Sequence, residues 1–358
     1  MEIGSTYIED QNTYYPPRRF AFLLWMSILC LMWYFASRCE TMEALDLHRY
    51  YETAYSMRDS SVSDIIKHFS ARGIDFIYYV ILHFAILLSI PFNLITALTV
   101  TVSLYMISRC MRIIYNGEIE WYVMAAVFFM TPITWVIEIS RNMMAFMFLY
   151  IALRMLYKNK YVWMSLFLIL SVFSHFSVLM YVAIFALSYL LRNLHIRNGL
   201  FVFVLIGFIL FSYIAPSYII DMFSSLLSEG ETIYSTQYTS LDTLGLSTWT
   251  NVGISSVVNV VFAALFSILV LLNTNKTGFE FWALTFLVIL LFFFMNSNQM
   301  FTYRCMMVMP MFWGLNIARI YQSGNYKGII IVRRLSVIAI IIVLWHIWSY
   351  RTVYLPFV

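Results

Sequence analysis

The chain is governed by apolar runs of near-bilayer length that follow one another with little between them. They fall at 20–37, 94–108, 119–138, 141–157, 161–174, 177–191, 200–220, 252–272, 280–295, 305–322 and 329–350, with a further short run at 76–90. A helix needs about 20 mostly apolar residues to cross a hydrocarbon core of about 30 Å. No aqueous fold could bury so many such runs. Of 358 residues, 62% are hydrophobic and 11% charged, whereas soluble domains carry about 25% charge. The expected fold is all-α: a single polytopic membrane domain over 1–358 with about 11 transmembrane helices. The N-terminal "MEIGSTYIEDQNTYYPPRR" is polar and acidic, unlike a basic leader, so the first run reads as a retained span.

Charge sets the sidedness. Arg18 and Arg19, Arg109 and Arg112, Arg154 with Lys158 and Lys160, Arg192 and Arg197, and Arg319 with Lys327, Arg333 and Arg334 mark cytoplasmic connections. The connection 221–251 has no Lys or Arg and reads as an external loop. These assignments agree only if the run 76–90 begins and ends outside. It is therefore expected as one short re-entrant or interfacial helix, with Pro91 and Asn93 at its exit. Irregular backbone at membrane depth is tolerated where it lines an enclosed or watery cavity. The long polar connection 38–75, with an amphipathic helix in it, is also external.

Several chemistries are excluded. There is no Walker loop, dinucleotide-binding glycine pattern, zincin motif or G-x-S-x-G. Any chemistry must therefore use a substrate that arrives already activated, at the external face. The four cysteines form no C-x-x-C pair. His48, His68, His83, His195 and His346 show no ligand spacing, so neither a metal nor a cofactor is expected, and no nucleic-acid partner.

Polar residues at external span ends are the candidates for a site. In "EALDLHRYYETAYSM", Asp46, Arg49, Tyr50 and Thr53 share a helix face, with Tyr51 and Tyr55 on the neighbouring strip. Rings beside charged groups suit sugars, and an interfacial amphipathic helix has the same composition. "ARGIDFIYY" places Arg72 and Asp75 just before the short run. In "TWVIEISRNMMAF", Ser140 suits an N-cap and Arg141 falls in the first helical turn. A cation there is unfavourable unless an anion such as phosphate joins it. A pair with Glu138, or snorkelling to headgroups, is the plainer alternative. "NSNQMFTYRCMM" adds Tyr303 and Arg304, where a polar turn with one snorkelling Arg is the alternative. The run 161–191 would make a helix of about 46 Å. A break near "SHFS" would place His175 at an external turn; a continuous tilted helix remains the alternative.

The order of these features resembles the EpsG-like branch of the Wzy-type bacterial polysaccharide polymerases. The matching pieces are Asp46 to Tyr50, "GIDF", "ISRNMMAFMFLYIAL" and "SVFSHFSVLM", covering roughly 40–190. Leu47 stands where the family commonly has Tyr directly after Asp. Asp75 follows Gly73, where the family commonly has an acid before Gly-Phe. The resemblance implies a GT-C-like glycosyltransferase in the bacterial cytoplasmic membrane with its active site facing outward. It would move a growing glycan from undecaprenyl diphosphate onto another lipid-linked repeat unit, with a chain-length regulator as a candidate partner. Arg141 and Arg304 would stabilise the diphosphate with help from His175. Asp46 would serve as base, with Glu138 and Asp75 as alternatives. Arg49, Tyr50, Asp75, Glu138 and Tyr303 would bind substrate. An O-antigen ligase and a lipid-linked sugar flippase or other transporter are the rival readings. A transporter should bury charge near the midplane, whereas here charge gathers at external span ends.

Overall fold

Segments that are apolar on every side must close their backbone hydrogen bonds internally, and only helices do so within one segment. The computed structural model describes residues 18–39, 46–72, 76–114, 140–175, 177–214, 254–295, 299–322 and 326–349. The described residues contain no strand. They form α1 (Arg18–Cys39), α2 (Asp46–Ser56), α3 (Val62–Arg72), α4 (Ile77–Leu87), α5 (Phe92–Ile114), α6 (Ser140–Tyr157) and α7 (Tyr161–Ser174). Then come α8 (Val178–Leu190), a 3-10 turn at Leu191–Asn193, α9 (Asn198–Ile214), α10 (Ile254–Asn273), α11 (Phe279–Met295), α12 (Gln299–Gln322) and α13 (Tyr326–Ser349). Every expected apolar run coincides with one of these helices except 119–138, which lies outside the described residues, as does the connection 221–251. Several of the helices, α7 and α8 among them, are shorter than a full crossing needs, so the expected count of about 11 transmembrane helices is not reached among the described residues. Among the described residues, Phe92–Cys110 is long and apolar enough to cross a membrane by length and composition. Shorter apolar stretches include Phe22–Ser37, Tyr161–Ser174, Val258–Asn273 and Phe279–Phe292.

The chain divides into two units, the first comprising 1–118 with 132–180. Here α1 packs along α5, with Trp25 edge-on to Tyr105 at 5.1 Å and Asn93 Nδ2 donating to Ser37 Oγ at 2.9 Å. Helix α5 packs on α6, and α6 on α7. The α6–α7 turn is made at Asn159, whose φ of 55° is one that a short polar side chain accepts. Across this hairpin Ser171 Oγ donates to Ala145 O at 2.6 Å; small residues on both sides permit that approach. Helix α4 has 11 residues, about 17 Å, too short to span. It packs against α2, α3, α5 and α7. The long run 161–191 is broken where expected. Helix α7 ends at Ser174, His175 is extended (φ −161°, ψ 120°), and α8 starts at Val178, so the continuous tilted helix is ruled out.

The second unit comprises 119–131 with 181–358. In it α10 packs with α11, α12 and α13, and α9 with α11. Its core closes polar groups pairwise: Trp313 Nε1 donates to Ser267 Oγ at 2.6 Å, and Ser267 Oγ to Ala263 O at 2.7 Å. Arg192, the connection 274–278 and Arg319 meet at one end of this unit. Gly278 N donates to Arg192 O at 2.7 Å, and Arg319 Nη1 to Thr277 O at 2.6 Å and Glu280 Oε2 at 3.3 Å. Gly278 holds φ +95°, and a β-carbon there would run into the Arg319 guanidinium. Lys276 is buried and caps α10, its Nζ donating to Leu271 O (2.6 Å), Leu272 O (2.9 Å) and Thr274 O (2.7 Å). Burial pulls this ammonium down to about 8, which leaves it charged at neutral pH.

Candidate functional site

Arg141 occupies the first turn of α6, and its guanidinium is held rather than left to snorkel. It lies over two aromatic faces, 5.2 Å from the Tyr50 ring centroid and 5.8 Å from that of Tyr79. Such contacts are worth about 0.5–2 kcal/mol, more as they are desolvated. Both rings are buried, at 6% and 8% exposure. They pack edge-on with Tyr78: Tyr50–Tyr78 at 5.5 Å, Tyr50–Tyr79 at 6.2 Å, Tyr78–Tyr79 at 6.0 Å. The cluster is tied to the start of α6 by Tyr78 OH and Ser140 Oγ, 2.6 Å apart. Ser140 was expected as an N-cap; it is instead the first residue of α6, with its hydroxyl engaged across 62 residues of sequence.

His175 reaches the same place from the break after α7. It is 3% exposed, and its Nε2 lies 3.4 Å from Arg141 Nη2. The Ser177 backbone N–H donates to Nδ1 at 3.1 Å, with Ser177 Oγ at 3.0 Å. A backbone N–H can only donate, so the Ser177 contact goes with the neutral tautomer in which Nδ1 accepts and Nε2 carries the proton. In that tautomer Arg141 Nη2 and His175 Nε2 both present N–H groups to the same space; in the other, Nε2 accepts from Arg141. The two donors of the first arrangement suit an anionic oxygen beside them that accepts from both. The extended backbone at His175 follows from the break itself, which frees the ring from helical register.

Of the residues expected in the site, the structure brings together Arg141, His175 and Tyr50. Tyr50 serves as a floor beneath the guanidinium, while Tyr51 and Tyr55 lie on the neighbouring strip of α2. There Tyr51 and Tyr55 lie 4.4 Å apart with their rings tilted by 48°; Tyr55 is exposed and Tyr51 half-buried. Asp46 opens α2 and Arg49 follows within its first turn, but their side chains lie outside the described atoms. Asp75 and Glu138 lie outside the described residues altogether. Tyr303 and Arg304 are in the second turn of α12, again without described side chains. Tyr78, Tyr79 and Ser177 were not anticipated. Tyr78 and Tyr79 carried a signal, for paired tyrosines in a short apolar helix need partners for their hydroxyls. The backbone N–H of Ser177 carried none.

Among the described residues the chain is helical and strongly apolar, and Arg141, His175 and a tyrosine cluster come together where several helices meet, a build that fits a helical membrane protein. Comparison with family models makes this specific: the EpsG family model matches residues 23–358. The chain belongs to the EpsG family, a family of polysaccharide polymerase-type membrane proteins. Searches among curated proteins and solved structures returned no match.

Proposed function

We propose that the protein is a polysaccharide repeat-unit polymerase. It transfers a growing glycan from undecaprenyl diphosphate to the non-reducing end of another lipid-linked repeat unit at the external face of the bacterial cytoplasmic membrane. About 11 crossings and one short dipping helix, α4, would compose it, in a GT-C-like arrangement. The observation that carries this reading is the Arg141–His175 donor pair on its tyrosine floor. In the reaction an acceptor hydroxyl attacks the anomeric carbon, and the bond from that carbon to the diphosphate oxygen breaks. The electron pair stays with the departing undecaprenyl diphosphate, whose developing charge calls for positioned donors. Arg141 and His175 supply them, with Arg304 as a further cation. The hydroxyl proton passes to a carboxylate, Asp46 first, with Glu138 and Asp75 as alternatives. Arg49, Tyr303 and the Tyr51–Tyr55 pair would hold sugar. A chain-length regulator is the expected protein partner.

Cellular phenotype separates the rival classes. Loss of this protein should leave single repeat units on the carrier or its acceptor. Finished polymer stranded on the carrier would point to a ligase. Repeat units held on the cytoplasmic side would point to a flippase.

A further inference from the structure

The end of the second unit carries a cavity that the polymerase reading does not use. Its volume is about 500 Å³, and it is lined by His195, Arg197, Asn198, Asn273, Asn275 and Lys276, together with Leu272 and Thr274. No acidic residue lines it. The cavity lies between the α8–α9 connection and the α10–α11 connection, joined by Ile196 N donating to Lys276 O at 3.2 Å.

Three features give this cavity an appetite for negative charge. First, His195 and Arg197 stand exposed at its mouth. Second, α9 begins at its wall. Phe201 N bonds Arg197 O, so the first amides of the helix, at Asn198 and Gly199, face outward from its positive end. Gly199 has open space on its Cβ side, so a ligand can come close to the backbone there. Third, the C-terminus of α10 is also in the wall, and its carbonyls would normally repel an anion. Lys276 offsets them by taking the Leu271 and Leu272 carbonyls of α10, and that of Thr274 just beyond it. The positive helix end is open and the negative one is offset.

The surroundings say what carries the charge. Leu190 (74% exposed), Leu200 (54%) and Phe203 (75%) stand out from the helices that flank the mouth. These are surfaces for hydrocarbon. Trp282 Nε1 donates to Leu194 O at 3.2 Å, placing an indole at the same level. Indoles favour the membrane–water boundary. A cationic cavity at that boundary, rimmed by exposed aliphatic and aromatic side chains, fits a phosphate headgroup whose chains run down the flanking helices.

We propose that this cavity binds the phosphate group of an anionic phospholipid. Free phosphate shares that oxyanion chemistry, so the test separates the two sources. The full-length protein, purified in a neutral detergent, is melted by intrinsic fluorescence with added phosphatidylglycerol, phosphatidylcholine or inorganic phosphate. Phosphatidylglycerol should raise the melting temperature by a few degrees as it saturates the site, and phosphatidylcholine should not. The double variant His195→Gln with Arg197→Gln should melt as the wild type without lipid, since both side chains are exposed, and should need at least fivefold more phosphatidylglycerol for half the shift. Arg197→Gln alone should show an intermediate loss and serves if the double variant folds poorly. Equal shifts from the two lipids, or an undiminished shift in both variants, would overturn the proposal. An equal shift from inorganic phosphate would overturn the lipid assignment in favour of the free ion.

Discussion

At the residue scale, a guanidinium differs from a generic positive charge. Arg141 sits on two ring faces and points a planar fork toward His175. A lysine would keep the charge and lose both the stacking and the fork. Arg141→Lys should therefore lower polymer formation at least tenfold, about 1.4 kcal/mol in the barrier, while membrane insertion is unchanged; chain-length analysis of the glycan reads it. The ring of Tyr50 should matter more than its hydroxyl, so Tyr50→Phe should retain far more polymer than Tyr50→Leu in the same assay. Ser177 makes a finer test. Its backbone N–H orients His175 and survives Ser177→Ala. That variant should stay within about threefold of wild-type polymer formation, whereas His175→Ala should leave single repeat units. Residue identity made Arg141 and His175 legible as candidates beforehand, because charge at a span end and a histidine at a break are both costly without a use. What Tyr50 does was not legible. Helical periodicity places it on a face but does not say whether that face turns inward, and it is α4 that covers it.

At the element scale, the boundaries were largely readable because hydropathy and helix length obey the same bilayer constraint. The break after Ser174 followed from length alone, as a helix of about 46 Å has no place in a core of about 30 Å. The run 76–90 was readable as too short, and α4 is indeed short. Its packing against α2, α3, α5 and α7 depends on tertiary contacts with no sequence period. Nor could charge counting foresee the uses of Arg192 and Arg319. The Arg319 side chain and the Arg192 backbone carbonyl stitch the connection 274–278 in place, while the Arg192 side chain turns to Tyr189. Gly278 is the point where this stitching admits no side chain. Gly278→Ala combines a left-handed backbone with a clash on Arg319. It should destabilise the protein by more than about 1 kcal/mol, seen as a lower melting temperature in detergent. Gly207, which has open space around it, should tolerate the same change.

At the scale of the whole molecule, family membership and the all-helical architecture agree with a membrane polysaccharide enzyme, and sidedness decides whether the site can meet its substrate. The proposed orientation puts the α2–α3 connection outside and the turn after α8 inside. With the native cysteines replaced, Asp59→Cys should react with a membrane-impermeant maleimide in intact cells. Asn193→Cys should react only after permeabilisation. The reverse pattern would invert the topology and place the donor pair on the wrong side for an exported substrate.

The most direct measurement is made with purified protein and a lipid-diphosphate-linked repeat unit, resolving product length by gel. The wild type should build a ladder of repeats and release undecaprenyl diphosphate. Folded Arg141→Ala and His175→Ala should leave the substrate as single units. A ladder of normal length from Arg141→Ala would contradict the account, because the group said to receive the leaving diphosphate would then be dispensable.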